Sequence, residues 1–196
     1  ISFMKLVLAT KNSGKVIEFR RILSDLGATH LEVVGLDEFP EIGEIEETGS
    51  TFEENSLLKA RTICKLTGLP AIADDSGICV DALGGAPGLY SARYSGQGDA
   101  ANNEKLLAAL ANVPDESRGA YFICVAAYVR PDGFERVEEG RFYGRILHQS
   151  VGSGGFGYDP LFQPEGLNCS SAELSAEEKD AISHRGKAMR AIAPYI

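Results

Sequence analysis

Apolar residues along this chain fall alternately into strand-like blocks and helical stripes. Residues 5–10 form a compact run rich in strand formers, closed by the polar loop Lys11-Asn12-Ser13-Gly14. From Lys15 the period changes: Val16, Phe19, Ile22, Leu23 and Leu26 recur at helical spacing, and Gly27 supplies a stop. The pattern predicts a strand, a tight turn and an amphipathic helix, then a second strand over residues 31–36. An acidic, irregular stretch follows at 39–49. A second helix is expected from about Thr51, because Ser50/Glu53 and Thr51/Glu54 both have capping-box spacing. Phe52, Leu57, Ala60, Ile63 and Cys64 make its buried stripe, and Gly68-Leu69-Pro70 ends it.

Residues 71–73 read as a short buried strand that stops at Asp74-Asp75-Ser76-Gly77. A glycine/proline loop spans 84–88, and 102–110 is helical by period. Residues 120–130 and 134–146 read as long strands joined by Pro131-Asp132-Gly133, a hairpin signal. A glycine-dense loop at 152–157 precedes a short helix around 173–179 and a last helix from His184 onward. Neither an internal repeat nor a low-complexity linker interrupts this order. The central hairpin breaks strict β-α-β alternation, which predicts an α/β protein with a mixed sheet.

Length and composition narrow the class. A chain of 196 residues, 44% apolar and 24% charged, has the proportions of a globular protein of one domain, or two lobes sharing a core. The longest apolar stretches, such as 120–129, are strand-sized and far short of the ~18 residues of a membrane span. With 19 Lys+Arg against 28 Asp+Glu, the formal charge is -9, which disfavours sequence-independent nucleic-acid binding. Cys64, Cys79, Cys124 and Cys169 lack metal-ligand spacing and read as reduced, mostly buried thiols. The first residues lack a basic region followed by an apolar stretch, so no signal peptide is expected and the compartment expected is the cytoplasm. Met4 directly precedes the first strand, which makes residues 1–3 an expected remnant and 4–196 a single domain.

Chemistry concentrates at four places. Thr10-Lys11-Asn12-Ser13-Gly14-Lys15 is a strand-to-helix turn, where free N–H groups, the helix dipole and lysines suit phosphate; an ordinary capped helix start reads equally well. Asp74-Asp75 at a strand end point to opposite faces, and one carboxylate near Glu46 or Glu47 could hold Mg²⁺; an Asx-turn with Ser76-Gly77 is the plainer alternative. Gly152-Ser153-Gly154-Gly155-Phe156-Gly157-Tyr158-Asp159 either brings backbone and the Phe156 ring to a planar base or makes a structural corner. Lys179 precedes Ser183-His184-Arg185, where Ser183 is placed to cap the last helix and His184 and Arg185 fall in its first turn, against its dipole, as a ligand's oxygens would favour; a cap followed by two solvated side chains is the plainer alternative. Asn55 and Lys59 share a face of the second helix, which either extends the cationic wall or is a solvated helix face.

In order and spacing, these segments resemble the inosine/xanthosine triphosphate pyrophosphatase family. The stretches are TKNSGK (10–15), EETGSTFEENSLLKAR (46–61), ADDSG (73–77), LGGAPGLYSARYSG (83–96), GGFGYDP (154–160), AEL (172–174) and EEKDAISHRGKA (177–188). The resemblance implies an elongated, two-lobed α/β fold with a central mixed sheet flanked by helices and an active-site groove between the lobes. It implies a Mg²⁺-dependent homodimer that hydrolyses ITP, dITP and XTP to the monophosphate and pyrophosphate. By the resemblance, Thr10, Lys11, Asn12, Ser13, Gly14, Lys15 and Lys59 contact the triphosphate, and Ser76 touches the substrate. Glu46 and Asp75 bind the metal, and Asp75 also accepts the proton of the attacking water. Phe156, Gly157, Tyr158, Asp159, Lys179, His184 and Arg185 form the base pocket.

Two stretches depart from the pattern. Lys11 stands where many members have Gly, and residues 167–170 (Leu-Asn-Cys-Ser) replace a stretch where many carry Lys and Thr. Two other readings stay open: a Maf-type pyrophosphatase acting on other modified nucleotides, against which the SHR and GGFGYDP segments argue, and a nucleotide sensor without turnover.

Overall fold

A computed structural model describes residues 3–196; the first two positions of the expected 1–3 remnant lie outside the described residues. The principal elements are β1 (Met4–Leu8), α1 (Ser13–Asp25), β2 (Leu31–Val34), α2 (Phe52–Thr67), β3 (Ala71–Val80), α3 (Asp99–Ala109), β4 (Gly119–Val129), β5 (Glu135–Ile146), β6 (Phe162–Pro164), α4 (Ala176–Ile182) and α5 (His184–Ile192). Six strands form one mixed sheet in the order β2-β1-β3-β4-β5-β6. β1 runs parallel to β2, with Val7 opposite Val34, and parallel to β3, with Val7 opposite Ala71. β5 and β6 are antiparallel, with Arg145 opposite Gln163. The α/β class and mixed sheet expected from the hairpin are therefore present.

Local chemistry sets the element ends. The Asn12 side chain accepts the Lys15 N–H at 3.1 Å, so α1 starts at Ser13, ahead of its apolar stripe. At α2, the Thr51 hydroxyl accepts the Glu54 N–H at 3.0 Å, while the Glu54 carboxylate accepts the N–H of Ser50 at 2.6 Å. Gly68, at φ 70°, ends that helix in the left-handed region. Ser56, one turn in, donates to the Val125 carbonyl at 2.6 Å and fastens α2 to β4.

β2 ends at Val34, short of the expected 36, and β6 was not expected; three further elements also differ from the sequence reading. The strand expected to stop at Asp74 continues to Val80. Asp74 and Asp75 remain in it because buried cations and amides satisfy them. Gly77 permits a close approach: a Cβ there would lie 2.3 Å from the Gly88 carbonyl oxygen. α3 begins at Asp99, ahead of the expected 102. The helix expected over 173–179 is instead a 3₁₀ turn, Ser171–Glu173, followed by α4. Each opens on its own capping box, Ser170/Glu173 and Ser175/Glu178.

The chain divides into two compact units, with boundaries at Asp75/Ser76, Ile123/Cys124, Gly140/Arg141 and His184/Arg185. In the first, which includes β1 and α1, successive β1 residues enter different cores. Leu6 and Leu8 pack with Phe19, Ile72, Tyr128 and Met189, while Val7 and Ala9 pack with Ile63, Ala71 and Ala127. Both faces of the strand are covered, as a parallel strand requires. The second unit has one core of Ile78, Val80, Leu106, Phe122, Phe142 and Phe162. Beside it Arg118, 1% exposed, spends its guanidinium on backbone. It donates to the carbonyls of Ile146 (2.8 Å), Leu110 (2.8 Å), Val113 (3.1 Å) and Leu147 (2.9 Å).

Among the described residues no helix is long and apolar enough to cross a membrane. Cys64, Cys79, Cys124 and Cys169 form no disulfide with one another.

Candidate active site

In the first unit the middle of β3 presents two adjacent carboxylates to different surroundings. Asp74, 1% exposed, lies 3.2 Å from Lys15 Nζ through Oδ1 and 3.4 Å from Arg185 Nη2 through Oδ2. Arg185 also donates through Nη1 to Glu18 Oε2 at 2.8 Å. Asp75, 4% exposed, accepts from Asn55 Nδ2 at 3.0 Å. The Gly49 N–H, at 2.7 Å from Asn55 Oδ1, fixes which end of that amide faces the carboxylate. Lys59 donates to Glu47 Oε1 at 3.0 Å and to the Asp74 carbonyl.

These surroundings separate the two acids. Burial opposes the charge on Asp74, but Lys15, Arg185 and Lys59 outweigh it and hold the carboxyl well below its ordinary range. For Asp75 burial prevails: with Glu47 adding repulsion, and Lys59 and Asn55 pulling the other way, its pKa is pushed up to about 6. Burial also opposes the ammonium of Lys59, yet Asp74, Glu47 and Asp75 keep it charged above the usual lysine range. One carboxylate is thus a permanent counter-ion, and its neighbour is poised to exchange a proton near neutral pH.

The loop residues expected to meet phosphate surround the start of α1. Thr10 Oγ1 accepts the Asn12 N–H at 3.1 Å, Asn12 caps the helix, and Ser13 and Gly14 form its first turn. Lys15 joins Asp74, as described. Lys11, the departure from the family pattern, donates to the Ile42 carbonyl at 3.3 Å. With Thr10, Ser13, Arg20 and Asp37 it lines a cavity of about 480 Å³. Glu46 is exposed, whereas Glu47 meets Lys59.

In the second unit Phe156, Gly157, Tyr158, Asp159 and Lys179 come together. Asp159 Oδ2 accepts from Lys179 Nζ at 2.6 Å and from the Phe156 N–H at 3.0 Å. The Lys179 ammonium lies 4.9 Å from the centre of the Phe156 ring. Tyr158 donates to the Ser91 carbonyl at 2.6 Å, and burial raises its phenol above the ordinary range. His184 stacks on Phe122 at 4.8 Å between centroids. Ser76 opens the second unit on β3. Arg185, expected beside the base residues, belongs to the first unit and is 2% exposed against Glu18 and Asp74.

The sequence reading did not single out Glu18 and passed over the counter-ion role of Asp74. Glu18 had a signal: Lys15, Glu18 and Ile22 fall on one helical face, so an acid stands on the buried stripe beside a lysine. Asn55 was expected in a cationic wall; instead its amide serves Asp75.

Fold and site together define an α/β protein with a mixed sheet and a buried carboxyl of raised pKa beside Lys59. A model of the Ham1 family matches residues 6–195, and the chain belongs to that family. A dITP/XTP pyrophosphatase of Streptomyces coelicolor is 56% identical over 194 residues, covering 98% of this chain and 96% of the relative. One of Pseudomonas syringae is 55% identical over 192 residues, covering 96% and 95%. The structure of a HAM1 protein from Coxiella burnetii superposes with a TM-score of 0.86 at 41% identity, over 98% of both chains. That of the Staphylococcus aureus Ham1 protein gives 0.84 at 42% identity, over 97% of both.

Proposed function

We propose that this chain hydrolyses noncanonical purine nucleoside triphosphates (ITP, dITP and XTP) to the nucleoside monophosphate and pyrophosphate. The observation that carries the reading is Asp75: a buried carboxyl with a pKa near 6, oriented by Asn55 and facing Lys59 and Glu47. The naming of the relatives as dITP/XTP pyrophosphatases supports the substrate class.

The reaction is attack of water on the α-phosphorus. A bond forms from the water oxygen to phosphorus, the α–β bridging P–O bond breaks, and pyrophosphate leaves with that bridging oxygen. Asp75 orients the water and takes its proton. Lys15, Lys59 and the N-terminus of α1 attract the phosphates, and Asp74 keeps Lys15 in place.

The donor set also fits Mg²⁺. Glu47, which pairs with Lys59 and repels Asp75, takes the place that the resemblance gave to the exposed Glu46, and two carboxylates plus phosphate oxygens are the hard donors this ion takes. Phosphate oxygens of a bound nucleotide, together with water, would complete the shell. Once bound, the ion supplies charge neutralisation at the phosphates.

In the second unit, Phe156 offers a stacking face, and the buried donors of Lys179 and His184 suit a 6-oxo purine. Adenine presents an amino group there and leaves a donor without its acceptor. The same reading makes the enzyme a cytoplasmic homodimer working on free nucleotides. Both the compartment and the dimer rest on the family resemblance.

A pyrophosphate-release assay with Mg²⁺ tests this. ITP, XTP and dITP should be turned over far faster than ATP and GTP, and EDTA should abolish the reaction. Equal rates across the five nucleotides, or tight ITP binding with no pyrophosphate, would overturn it.

A further inference from the structure

The peptide of Gly157 is held from both ends by one helix. Its N–H donates to Asp99 Oδ2 at 3.0 Å, and its carbonyl accepts from Asn103 Nδ2 at 3.2 Å. Asp99 and Asn103 are one helical turn apart, so α3 presents both groups on one face. Gly157 sits at φ 62°, a left-handed conformation that a free glycine-rich loop would occupy only part of the time. Asn102, between the two, reaches the 3₁₀ turn Gly88–Arg93 and the residues after it, donating to the Ala92 carbonyl at 3.0 Å and accepting the Ser95 N–H at 2.7 Å. That turn supplies the Ser91 carbonyl on which Tyr158 rests. The residues on either side of the 157–158 peptide bond are therefore fastened, directly or through one intermediary, to three polar positions of α3, Asp99, Asn102 and Asn103.

We infer that Asp99 and Asn103 are positioning residues for purine recognition: together they fix the Gly157 peptide and so aim the Phe156 ring at the base. This rests on the reading of Phe156 to Asp159 as the base-facing loop. Glycines at 152, 154, 155 and 157 make that loop intrinsically loose. Asp159 and Lys179 order the Phe156 side of it, and α3 orders the Gly157 side. Ordering before the substrate arrives lowers the entropy lost on binding and sharpens discrimination between bases. Asn103 leaves its own Oδ1 buried without a hydrogen bond, so its removal need not cost the fold.

The test uses the full chain and the variants Asn103→Ala, Asp99→Ala and Asp99→Asn. Losing one hydrogen bond to the loop should raise KM for dITP about tenfold with kcat little changed. The preference for ITP over GTP should narrow in parallel. Asp99→Asn keeps an acceptor oxygen and should recover most of the loss. A readout independent of catalysis comes from the absence of tryptophan in the chain. In a Phe156→Trp background the single indole should become more accessible to acrylamide when Asn103→Ala is added, with Tm held. Unchanged KM, base preference and quenching would overturn the inference. So would a lowered Tm with KM and base preference intact, the signature of a merely structural role. If the parent releases no pyrophosphate from any nucleotide, the proposed function fails while the quenching arm still judges the clamp.

Discussion

Asp74 and Asp75 share a peptide bond, yet their carboxyls are displaced in opposite directions. Three cations hold Asp74 ionised, whereas burial and Glu47 lift Asp75 to about 6. Alternation along β3 places one on the side of Lys15 and Arg185 and the other on the side of Asn55. A strand thereby sets a fixed charge and a titratable base within two residues.

The pair makes opposed demands on stability. Asp75 has a folded pKa above its ordinary 3.8, so its ionised form destabilises the metal-free protein above pH 6, and the penalty fades as pH falls toward 3.8. At about 1.4 kcal/mol per pK unit this cost is on the order of 3 kcal/mol. Asp75→Asn should therefore stabilise the protein at pH 8 in EDTA while removing pyrophosphate release. Urea unfolding at pH 8 and pH 4.5 checks it: the gain should shrink at the lower pH.

Asp74 behaves in the reverse sense. Its folded pKa lies below 3.8, so its contribution is present above that pH and is lost as pH falls further. Asp74→Ala strips Lys15 and Arg185 of a buried counter-ion and should cost about 3 to 5 kcal/mol. A shift in the denaturation midpoint at pH 7 measures it. An Asp74→Ala protein as stable as the parent would show the network to be dispensable.

Asp159 answers for the second unit. Asp159→Asn removes the charge that meets Lys179 and weakens the acceptor for the Phe156 N–H. The KM for ITP should rise about tenfold, the size of one charge-assisted bond, with kcat less affected. Steady-state kinetics on ITP and XTP give the split.

Gly144 is a packing requirement. A Cβ there would lie 2.2 Å from the Gln163 carbonyl oxygen and 2.7 Å from the Phe162 ring, where β5 meets β6. Gly144→Ala should lower Tm by roughly 5 °C, the cost of forcing paired strands apart. Differential scanning calorimetry reads this directly, without any substrate.

Where pattern and local chemistry agreed, the sequence was readable. The 3.6-residue stripes of α1 and α2, the Pro131-Asp132-Gly133 hairpin and the Asp74-Asp75 pair all announced themselves. The length of β3 did not, because a DDSG segment carries every turn cue and only its buried partners, distant in sequence, keep it extended. Arg185 illustrates the same limit. Its neighbours Ser183 and His184 belong to one compact unit, and the acids that hold it are Glu18 and Asp74 of the other. The side chains of α3 were invisible as site residues, since Asp99 and Asn103 meet Gly157 more than fifty positions away.

Arg118 carries a different kind of consequence. Its guanidinium ties together four carbonyls beyond the C-terminus of α3 and at the end of β5, one of which, that of Leu110, also accepts the Val113 N–H. No neutral residue reproduces that fork. Variation at this codon would accordingly surface as scarcity of the protein, through quality control and degradation, while each surviving molecule worked at its normal pace.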